Sequence, residues 1–419
     1  MAIKSTSLRK LACAGCLFST LILPASFAMA APADAPLQLE RVVLLYRHGL
    51  RSPLPGEVQL NEASGKPWPI WKEAPSELTP RGTAEMQRMG RYDRQRLVTE
   101  GLFAAHSCPD KGQLWFWANA EQRTIASAQA LALAQGFSPG CPIEIGHLPE
   151  GSEDPLFHPI EAGATSWNAR DAVAAIEASS GGPDALIAPH ADALSVMATV
   201  MGCDQHHRPD WCMPDHWHGT LTTTPPSRDM TLSGPIATTS GTAEVILMAY
   251  AEGFPQREVG WGRVTPDRLE SLSQLHALLF DIYARPDYMA ERIASVLSHR
   301  VLDVLQDDSS PRLNVLVGSD NNIVALASIL HLHFKMPSYA QDDPPIGGAM
   351  GIELWRNPIS SQRYVRIFYE AQSLPQLRTL LSSPPTMRIL LPPNCTPQGN
   401  GLCRLADIVP LLQRSGAFE

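Results

Sequence analysis

Two arginines flank a histidine in the segment RHGLRSP at residues 47–53. Buried guanidinium groups need partners, so Arg47 and Arg51 beside His48 would be an unusual arrangement in a protein core. The planar fork of an arginine fits phosphate oxygens two at a time. A neutral imidazole between two such forks can attack phosphorus, giving a phosphohistidine that water then hydrolyses. The pattern therefore predicts a phosphoryl-transfer site with His48 as nucleophile; the alternative is an exposed turn with incidental charges.

A second polar cluster, Ser-Asp-Asn-Asn at residues 319–322, also follows an apolar run. Asp320 is a candidate general acid, because a carboxylic acid near a leaving oxygen can protonate it. Serine at 319 can donate one hydrogen bond but cannot carry a positive charge. The alternative is a helix cap, since all these residue types favour that position. Both interpretations can hold together, because a helix N-terminus is itself favourable for anions.

Strands and helices alternate around both clusters and predict an α/β fold. Residues 39–46 (LERVVLLY) and 314–318 (NVLVG) have the composition of buried strands. Thr79 and Pro80 form a typical helix start, with the helix reaching about residue 101. Further patterns predict strands at 113–118 and 364–369 and helices at 123–134 and 321–331. We expect a mixed, mainly parallel sheet flanked by helices, with ligands bound beyond the carboxyl ends of its strands.

The alternation of predicted strands and helices is interrupted between residues 161 and 276. Helical patterns remain near 183–201 and 241–251, separated by long loops. The sequence therefore predicts an α/β core built from residues 31–160 and 277–419, with an inserted, mostly helical sub-domain at 161–276.

Residues 1–30 have the features of a secretory signal peptide. A basic start precedes an apolar stretch and the small-x-small sequence Ala28-Met29-Ala30. The formal net charge of the whole chain is -9, and loss of Lys4, Arg9 and Lys10 would make it about −12. Such an acidic chain has no general attraction for nucleic acid or anionic membranes. We therefore expect a periplasmic or secreted protein whose partner is a small molecule; its oligomeric state is not readable.

Six cysteines remain beyond the first thirty residues, and an even number in an exported chain indicates disulfides. Six cysteines allow fifteen pairings, among which the sequence alone does not choose; nearness in sequence favours Cys203–Cys212 and Cys395–Cys403, which leaves Cys108–Cys141. The stretch 203–218 (CDQHHRPDWCMPDHWH) also offers possible metal ligands. Its spacing does not match a usual zinc pattern, so we expect a disulfide-pinned loop and no metal.

The chain resembles the histidine acid phosphatases, a branch of the histidine phosphatase superfamily that includes periplasmic phytases and glucose-1-phosphatases. The family signature RHGxRxP is matched in full at 47–53, and the resemblance covers nearly all of the chain after residue 30. Other matching segments are WPIW at 68–71, LTPRG at 78–82, DPLF at 154–157, EGFP at 252–255, WG at 261–262 and PIGG at 345–348. The sequence NAEQRT at 119–124 echoes a segment of the glucose-1-phosphatases, whose three-disulfide pattern also fits.

The resemblance implies roles for particular residues. Arg47, Arg51 and Arg123 would hold the phosphate, His48 would be the nucleophile and Asp320 the proton donor, without any cofactor. Without the resemblance, Arg123 would be interpreted as a surface helix arginine. Glu244 stands where related enzymes carry an acidic residue facing the pocket; the alternative is a solvated position on the surface.

One departure concerns the catalytic centre. The family has a histidine directly before the aspartate, and that histidine helps to hold the phosphate. This chain has Ser319 in its place. The resemblance implies an acid phosphatase acting on sugar phosphates or inositol phosphates, and the departure leaves open a catalytically weakened protein that binds phosphoesters.

Overall fold

The computed structural model describes residues 36–58, 66–110, 112–132, 140–203, 210–223 and 229–416. The predicted signal peptide lies outside these residues. From residue 36 onward the chain groups as one compact unit.

An eight-stranded mixed sheet organises the molecule. Its strands are β1 (Gln38–Arg47), β2 (Leu114–Ala118), β3 (Ile145–Gly146), β6 (Leu313–Gly318), β7 (Ala349–Arg356), β8 (Arg363–Ala371), β9 (Thr386–Leu390) and β10 (Leu402–Arg404), while β4 (Thr220–Thr223) and β5 (Met230–Ser233) form a separate hairpin. The order is β10-β8-β7-β1-β6-β2-β3, with β9 also paired to β8. Strands β1, β6, β2 and β3 are parallel. The α/β prediction is confirmed; the antiparallel half beyond β1 was not predicted in detail.

The central strands are apolar because helices cover both faces of the sheet. All six residues of β6 are buried, as are the last seven of β1. Continuous apolar runs are typical of strands that are covered on both faces. Burial on both sides fixes where these two strands end, and therefore where the polar residues that follow them lie.

Twelve α-helices lie in the described part of the chain. They are α1 (Pro80–Thr99), α2 (Gln122–Ala132), α3 (Ala169–Ser180), α4 (Pro183–Ile187), α5 (Ala191–Met201), α6 (Pro235–Glu252), α7 (Pro266–Tyr283), α8 (Asp287–Ile293), α9 (Ser295–Gln306), α10 (Asp320–Ile329), α11 (Leu374–Thr379) and α12 (Leu405–Gln413). Helix α1 begins where predicted: the Thr79 hydroxyl accepts the Gly82 N–H at 3.0 Å, and Pro80 opens the helix.

Helices α3 to α7 contribute to one hydrophobic core, which also includes Leu50, Ile346 and Leu374 from the rest of the fold. Within it, α6 packs against α7 and α5 packs against α7. The predicted boundary of the helical sub-domain at 276/277 falls inside α7, and α8 and α9 continue the helical run to Gln306. The limits of this sub-domain therefore stay a prediction.

Three disulfides connect the expected cysteines: Cys108–Cys141, Cys203–Cys212 and Cys395–Cys403. Across the described ranges, no helix combines the length and apolar character needed to cross a membrane.

Candidate active site

The two polar clusters meet at the carboxyl ends of neighbouring parallel strands. In the register of β1 and β6, Arg47 lies opposite Gly318, and the His48 N–H donates to the Gly318 carbonyl at 3.1 Å. The strand order thus places residues 47–51 beside residues 319–322, although more than 260 positions separate them. This is the edge at which open parallel sheets bind ligands.

The loop after β1 is held tightly against the start of α1. The Thr79 N–H donates to the Leu50 carbonyl at 2.9 Å, and the Leu50 N–H donates to Glu85 at 3.1 Å. A Cβ atom on Gly82 would lie 2.2 Å from the Leu50 carbonyl oxygen, so only glycine allows this approach. The LTPRG segment therefore positions the loop that carries His48 and Arg51.

His48 has one ring nitrogen committed and one available. Its Nδ1 lies 2.9 Å from the Gly49 carbonyl, so Nδ1 carries the proton and Nε2 keeps a free lone pair. The side chain is buried, and burial lowers the pKa of the imidazole well below its ordinary value; Arg123, Arg51 and Arg47 lower it further. A neutral imidazole with a free Nε2 is the form that can act as a nucleophile.

Arg47 is fully buried at the end of β1. Its Nη1 donates to the Pro344 carbonyl at 2.6 Å, and Nη2 contacts Glu244 and, at 3.0 Å, Asp320 Oδ2. Burial lowers the pKa of this guanidinium, but Glu244, Asp320 and further acidic groups raise it above its ordinary value. Arg47 is therefore a permanent cation whose orientation is fixed by three partners.

Arg51 is paired with a carboxylate that the sequence did not point to. Its Nη1 and Nη2 donate to the two oxygens of Glu57, both at 2.8 Å. Glu57 also accepts the Leu54 N–H at 2.8 Å. A bidentate carboxylate uses the same guanidinium fork that a phosphate would use. Glu57 thus competes with any phosphate that approaches Arg51.

Arg123 lies in the first turn of α2, immediately after β2. Its Nη1 contacts Glu121 at 3.1 Å, and the side chain is 15% exposed. Burial and then the nearby Arg51 lower the pKa of Arg123, which shows that the two guanidinium groups share one region. Arg123 is also the largest charged influence on the pKa of His48. The structure therefore brings all three predicted arginines around the histidine.

Asp320 is the first residue of α10 and faces the arginines. Oδ1 accepts the Asn321 N–H at 2.9 Å, while Oδ2 lies 3.0 Å from Arg47 Nη2. Burial raises the pKa of this carboxyl, but Arg47, His276 and His48 together bring it below its ordinary range. The carboxyl group is 16% exposed, so a leaving group can reach it.

Ser319 is the N-cap of α10 and forms a capping box with Asn322. Its N–H and its hydroxyl donate to Asn322 Oδ1 at 2.9 and 3.0 Å. The Asn322 amide in turn donates to the Phe157 carbonyl at 2.8 Å. The hydroxyl proton of Ser319 is thus used within the helix start, which is the cap that the sequence offered as the alternative.

Glu244 lies on α6 and is buried against Arg47, not solvated at the surface. It also lies 3.6 Å from the Nδ1 of His276, a residue that the sequence analysis missed. His276 occupies the buried face of α7, where its Nδ1 lies 2.7 Å from Asp343 and its Nε2 lies 3.8 Å from Asp320. The available signal was a histidine within an otherwise apolar helix face (Leu269, Leu272, Leu275 and Leu278).

The cysteine- and histidine-rich stretch 203–218 is partly described. Cys203 and Cys212 are joined to each other, so neither offers a thiolate. His206 and His207 lie outside the described residues. Among the residues that are described, no group of three or more His, Cys, Asp or Glu side chains is placed to hold a metal ion.

Comparisons with known proteins agree with this geometry. Residues 38–189 match the family model of the histidine phosphatase superfamily (branch 2). The chain is 28% identical to phytase AppA of Escherichia coli (strain K12), over 95% of this chain and 97% of that protein. It is also 28% identical to a glucose-1-phosphatase of Providencia rettgeri, over 96% and 97%.

Solved structures show the same relationship. The Hafnia alvei phytase in complex with tartrate superposes with a TM-score of 0.82 at 29% identity, covering 92% of this chain and 98% of that one. The phytase of Klebsiella sp. ASR1 gives a TM-score of 0.82 at 28% identity with the same coverage.

Proposed function

We propose that the chain is a phosphoric monoester hydrolase of the histidine phosphatase superfamily (branch 2), whose family model matches residues 38–189, and that it works through a phosphohistidine formed on His48. The observation that carries this proposal is the free Nε2 of a neutral, buried imidazole among three arginines. The arginines bind the phosphate oxygens and stabilise the charge that develops on them in the transition state.

The reaction has two balanced steps. His48 Nε2 attacks phosphorus, the bond from phosphorus to the ester oxygen breaks, and Asp320 gives that oxygen its proton. Water then attacks the phosphohistidine, Asp320 takes the proton from the water, and inorganic phosphate leaves with His48 neutral again. A bound phosphate ester places negative charge beside Asp320. This charge offsets the positive charge of Arg47 and raises the pKa of the Asp320 carboxyl, so that the carboxyl group can carry a proton in acidic solution.

Two cavities adjoin the candidate site: one of about 700 Å³ beside Ser52 and Pro53, with Lys66 as its one described cation, and one of about 400 Å³ next to Asn321, which suggests the substrate class. The lining residues of the smaller cavity are Ile160, Glu161, Trp167, Asp229, Met230, Tyr283, Met289, Ile293 and Asn321. None of these described lining residues is a lysine or arginine. A substrate with several phosphates needs cations beyond the one phosphate site, whereas aromatic rings and carboxylates suit a hydroxylated neutral group. We therefore favour singly phosphorylated sugars, such as glucose-1-phosphate, over inositol polyphosphates.

The protein is proposed to act in the periplasm or outside the cell. The three disulfides fit an oxidising compartment, and the first thirty residues have the composition of a signal peptide.

A panel of phosphate esters measured from pH 3 to 9 tests the function. The panel holds glucose-1-phosphate, phytate and an aryl phosphate, each assayed with the wild type and with His48→Ala. We expect turnover by the wild type alone and a higher kcat/KM on glucose-1-phosphate than on phytate. Equal, negligible rates for both proteins would favour a phosphoester-binding protein, and a preference for phytate would contradict the substrate class.

A further inference from the structure

We propose that His276, on α7, supplies through its Nε2–H the charged hydrogen bond to the transferred phosphoryl group that the family's histidine makes from position 319. The inference rests on the phosphatase function proposed above. It assigns a phosphate-binding role to a residue on an element remote in sequence from both motifs, and it explains how the site tolerates serine before Asp320.

Position 319 cannot supply that hydrogen bond as the site is built. The Ser319 hydroxyl donates to Asn322 Oδ1 at 3.0 Å, and the Ser319 N–H donates to the same oxygen. Asn322 is buried and held by the Phe157 carbonyl, so this acceptor is fixed. Turning the hydroxyl proton toward a phosphate would give up its bond to Asn322 Oδ1 and would still provide only a neutral donor.

His276 has the geometry that Ser319 lacks. Its ring is 7% exposed, and Nδ1 donates to Asp343 Oδ1 at 2.7 Å, which fixes the ring orientation. The opposite nitrogen, Nε2, points toward Asp320, with 3.8 Å to Oδ2. Arg47 Nη2 lies 3.0 Å from that same oxygen. Nε2 therefore lies beside the contact between Arg47 and Asp320, where the proposed function places the phosphate, and within the described chain it makes no hydrogen bond.

The charges around His276 keep it protonated. Three carboxylates face it: Asp343 from the segment before β7, Glu244 from α6 and Asp320 from α10. Arg47 is the cation that faces it, and the edge of Phe280 on its own helix covers the ring. Burial lowers the pKa of His276, but Glu244 and Asp343 outweigh burial and raise the pKa to about 9. An imidazolium is thus present throughout the acidic and neutral range.

Two substitutions separate a role at Nε2 from a role at Nδ1. Asparagine at 276 can place an amide N–H near the position of Nδ1 and keep the bond to Asp343, but it has nothing at Nε2. Glutamine can place a neutral donor near Nε2. We expect His276→Asn to lower kcat/KM by about thirty- to a hundredfold and His276→Gln by about three- to tenfold, because a neutral donor replaces a charged one. The exposed His299→Gln on α9 is the matched control and should be within twofold of the wild type.

A histidine at 319 provides the second arm. Ser319→His alone should not raise kcat/KM, since His276 already fills the role, and should lower it by up to about tenfold because the N-cap hydroxyl of α10 is lost. Combined with His276→Asn it should recover at least about tenfold, and this rescue would not follow from a purely structural role. The alkaline limb of the wild-type kcat/KM profile near pH 9 should also disappear in both His276 variants.

Thermal unfolding is recorded for every variant, so that a loss of folding is distinguished from a loss of catalysis. A wild type that hydrolyses no phosphate ester would overturn the proposed phosphatase function, which is a different result from failure of the role proposed for His276. If the wild type turns over but His276→Gln is more damaged than His276→Asn, the histidine acts through Asp343 and the proposal fails. If His276→Asn does not fold, the proposal stands or falls on His276→Gln: an alkaline limb kept near pH 9 overturns it.

Discussion

Replacing His48 tests the proposed chemistry most directly. We expect His48→Ala to lower kcat by at least about a thousandfold, because His276, the other described imidazole beside Arg47, is protonated and has no lone pair to attack phosphorus. The variant should still bind inorganic phosphate, since Arg47, Arg51 and Arg123 remain. Steady-state kinetics and calorimetric titration with phosphate measure the two effects. Activity within tenfold of the wild type would exclude His48 as nucleophile.

The loss of kcat on replacing Asp320 should depend on how strongly the leaving group requires protonation. We expect Asp320→Asn to reduce kcat on glucose-1-phosphate far more than on an aryl phosphate, whose oxygen leaves without protonation. The contact of Oδ2 with Arg47 at 3.0 Å is shared by both reactions, so the ratio of the two losses isolates the proton. Equal losses on both substrates would show that Asp320 is not the donor.

Glu57 should act as a competitor for Arg51. Its carboxylate occupies both guanidinium nitrogens at 2.8 Å, and an incoming phosphate must displace it. We expect Glu57→Gln to lower KM and the inhibition constant of inorganic phosphate by about three- to tenfold, with little change in kcat. Glu121→Gln, which removes the carboxylate paired with Arg123, is the matched comparison. A raised KM in Glu57→Gln would mean that Glu57 orients Arg51 for binding.

Among the elements, the start of α10 holds the general acid in place. Asn322 accepts two hydrogen bonds from Ser319 and donates one to Phe157. We expect Asn322→Ala to lower the free energy of unfolding by about 2–3 kcal/mol, because buried partners lose their hydrogen bonds. It should also lower kcat about tenfold by loosening Asp320. The exposed Asn321→Ala should cost less than about 0.5 kcal/mol; denaturant unfolding compares them, and equal losses would contradict the role of the capping box.

Helix α7 positions side chains on the side of the site opposite the start of α10. It carries His276, packs against α6, which carries Glu244, and crosses the boundary at which the sequence suggested a separate sub-domain. The site is thus built from the sheet and the helical layer together, and a change in how these two helices pack would move both residues at once.

For the whole molecule, the buried ionisable groups predict greater stability in acid than in alkali. His276 has its pKa raised to about 9, so its contribution is complete below about pH 6.5 and is lost as pH rises through 9. Burial raises the pKa of Glu85 to about 8. The contribution of Glu85 to stability therefore also falls as pH rises from the ordinary pKa of a glutamate up to pH 8. His48 opposes this trend only below about pH 6.5, because its pKa is lowered.

We therefore expect the free energy of unfolding to fall between pH 6.5 and 9, by about 3 kcal/mol from His276 alone. Chemical denaturation at several pH values measures the slope, which should flatten in His276→Gln. A wild type whose stability rises over this interval would contradict the charge arrangement around His276.

Much of the site was readable from the sequence because local signals coincide there. An apolar run that ends in RHGLRSP, and another that ends in Ser-Asp-Asn-Asn, mark two strand ends and the chemistry that follows them. Helix α1 was marked by Thr79 and Pro80, and the disulfides by cysteine spacing. These features depend on neighbours in sequence, so composition and periodicity are sufficient to predict them.

Only the tertiary structure decided which carboxylates and which second histidine complete the site. Glu57 pairs with Arg51 through a loop, Glu244 reaches Arg47 from α6, and His276 reaches Asp320 from α7. In sequence, Glu57 is one acidic residue in a loop and His276 one polar residue on an apolar helix face. Their roles follow from packing between distant elements, which brings opposite charges together in a buried place where each needs a partner.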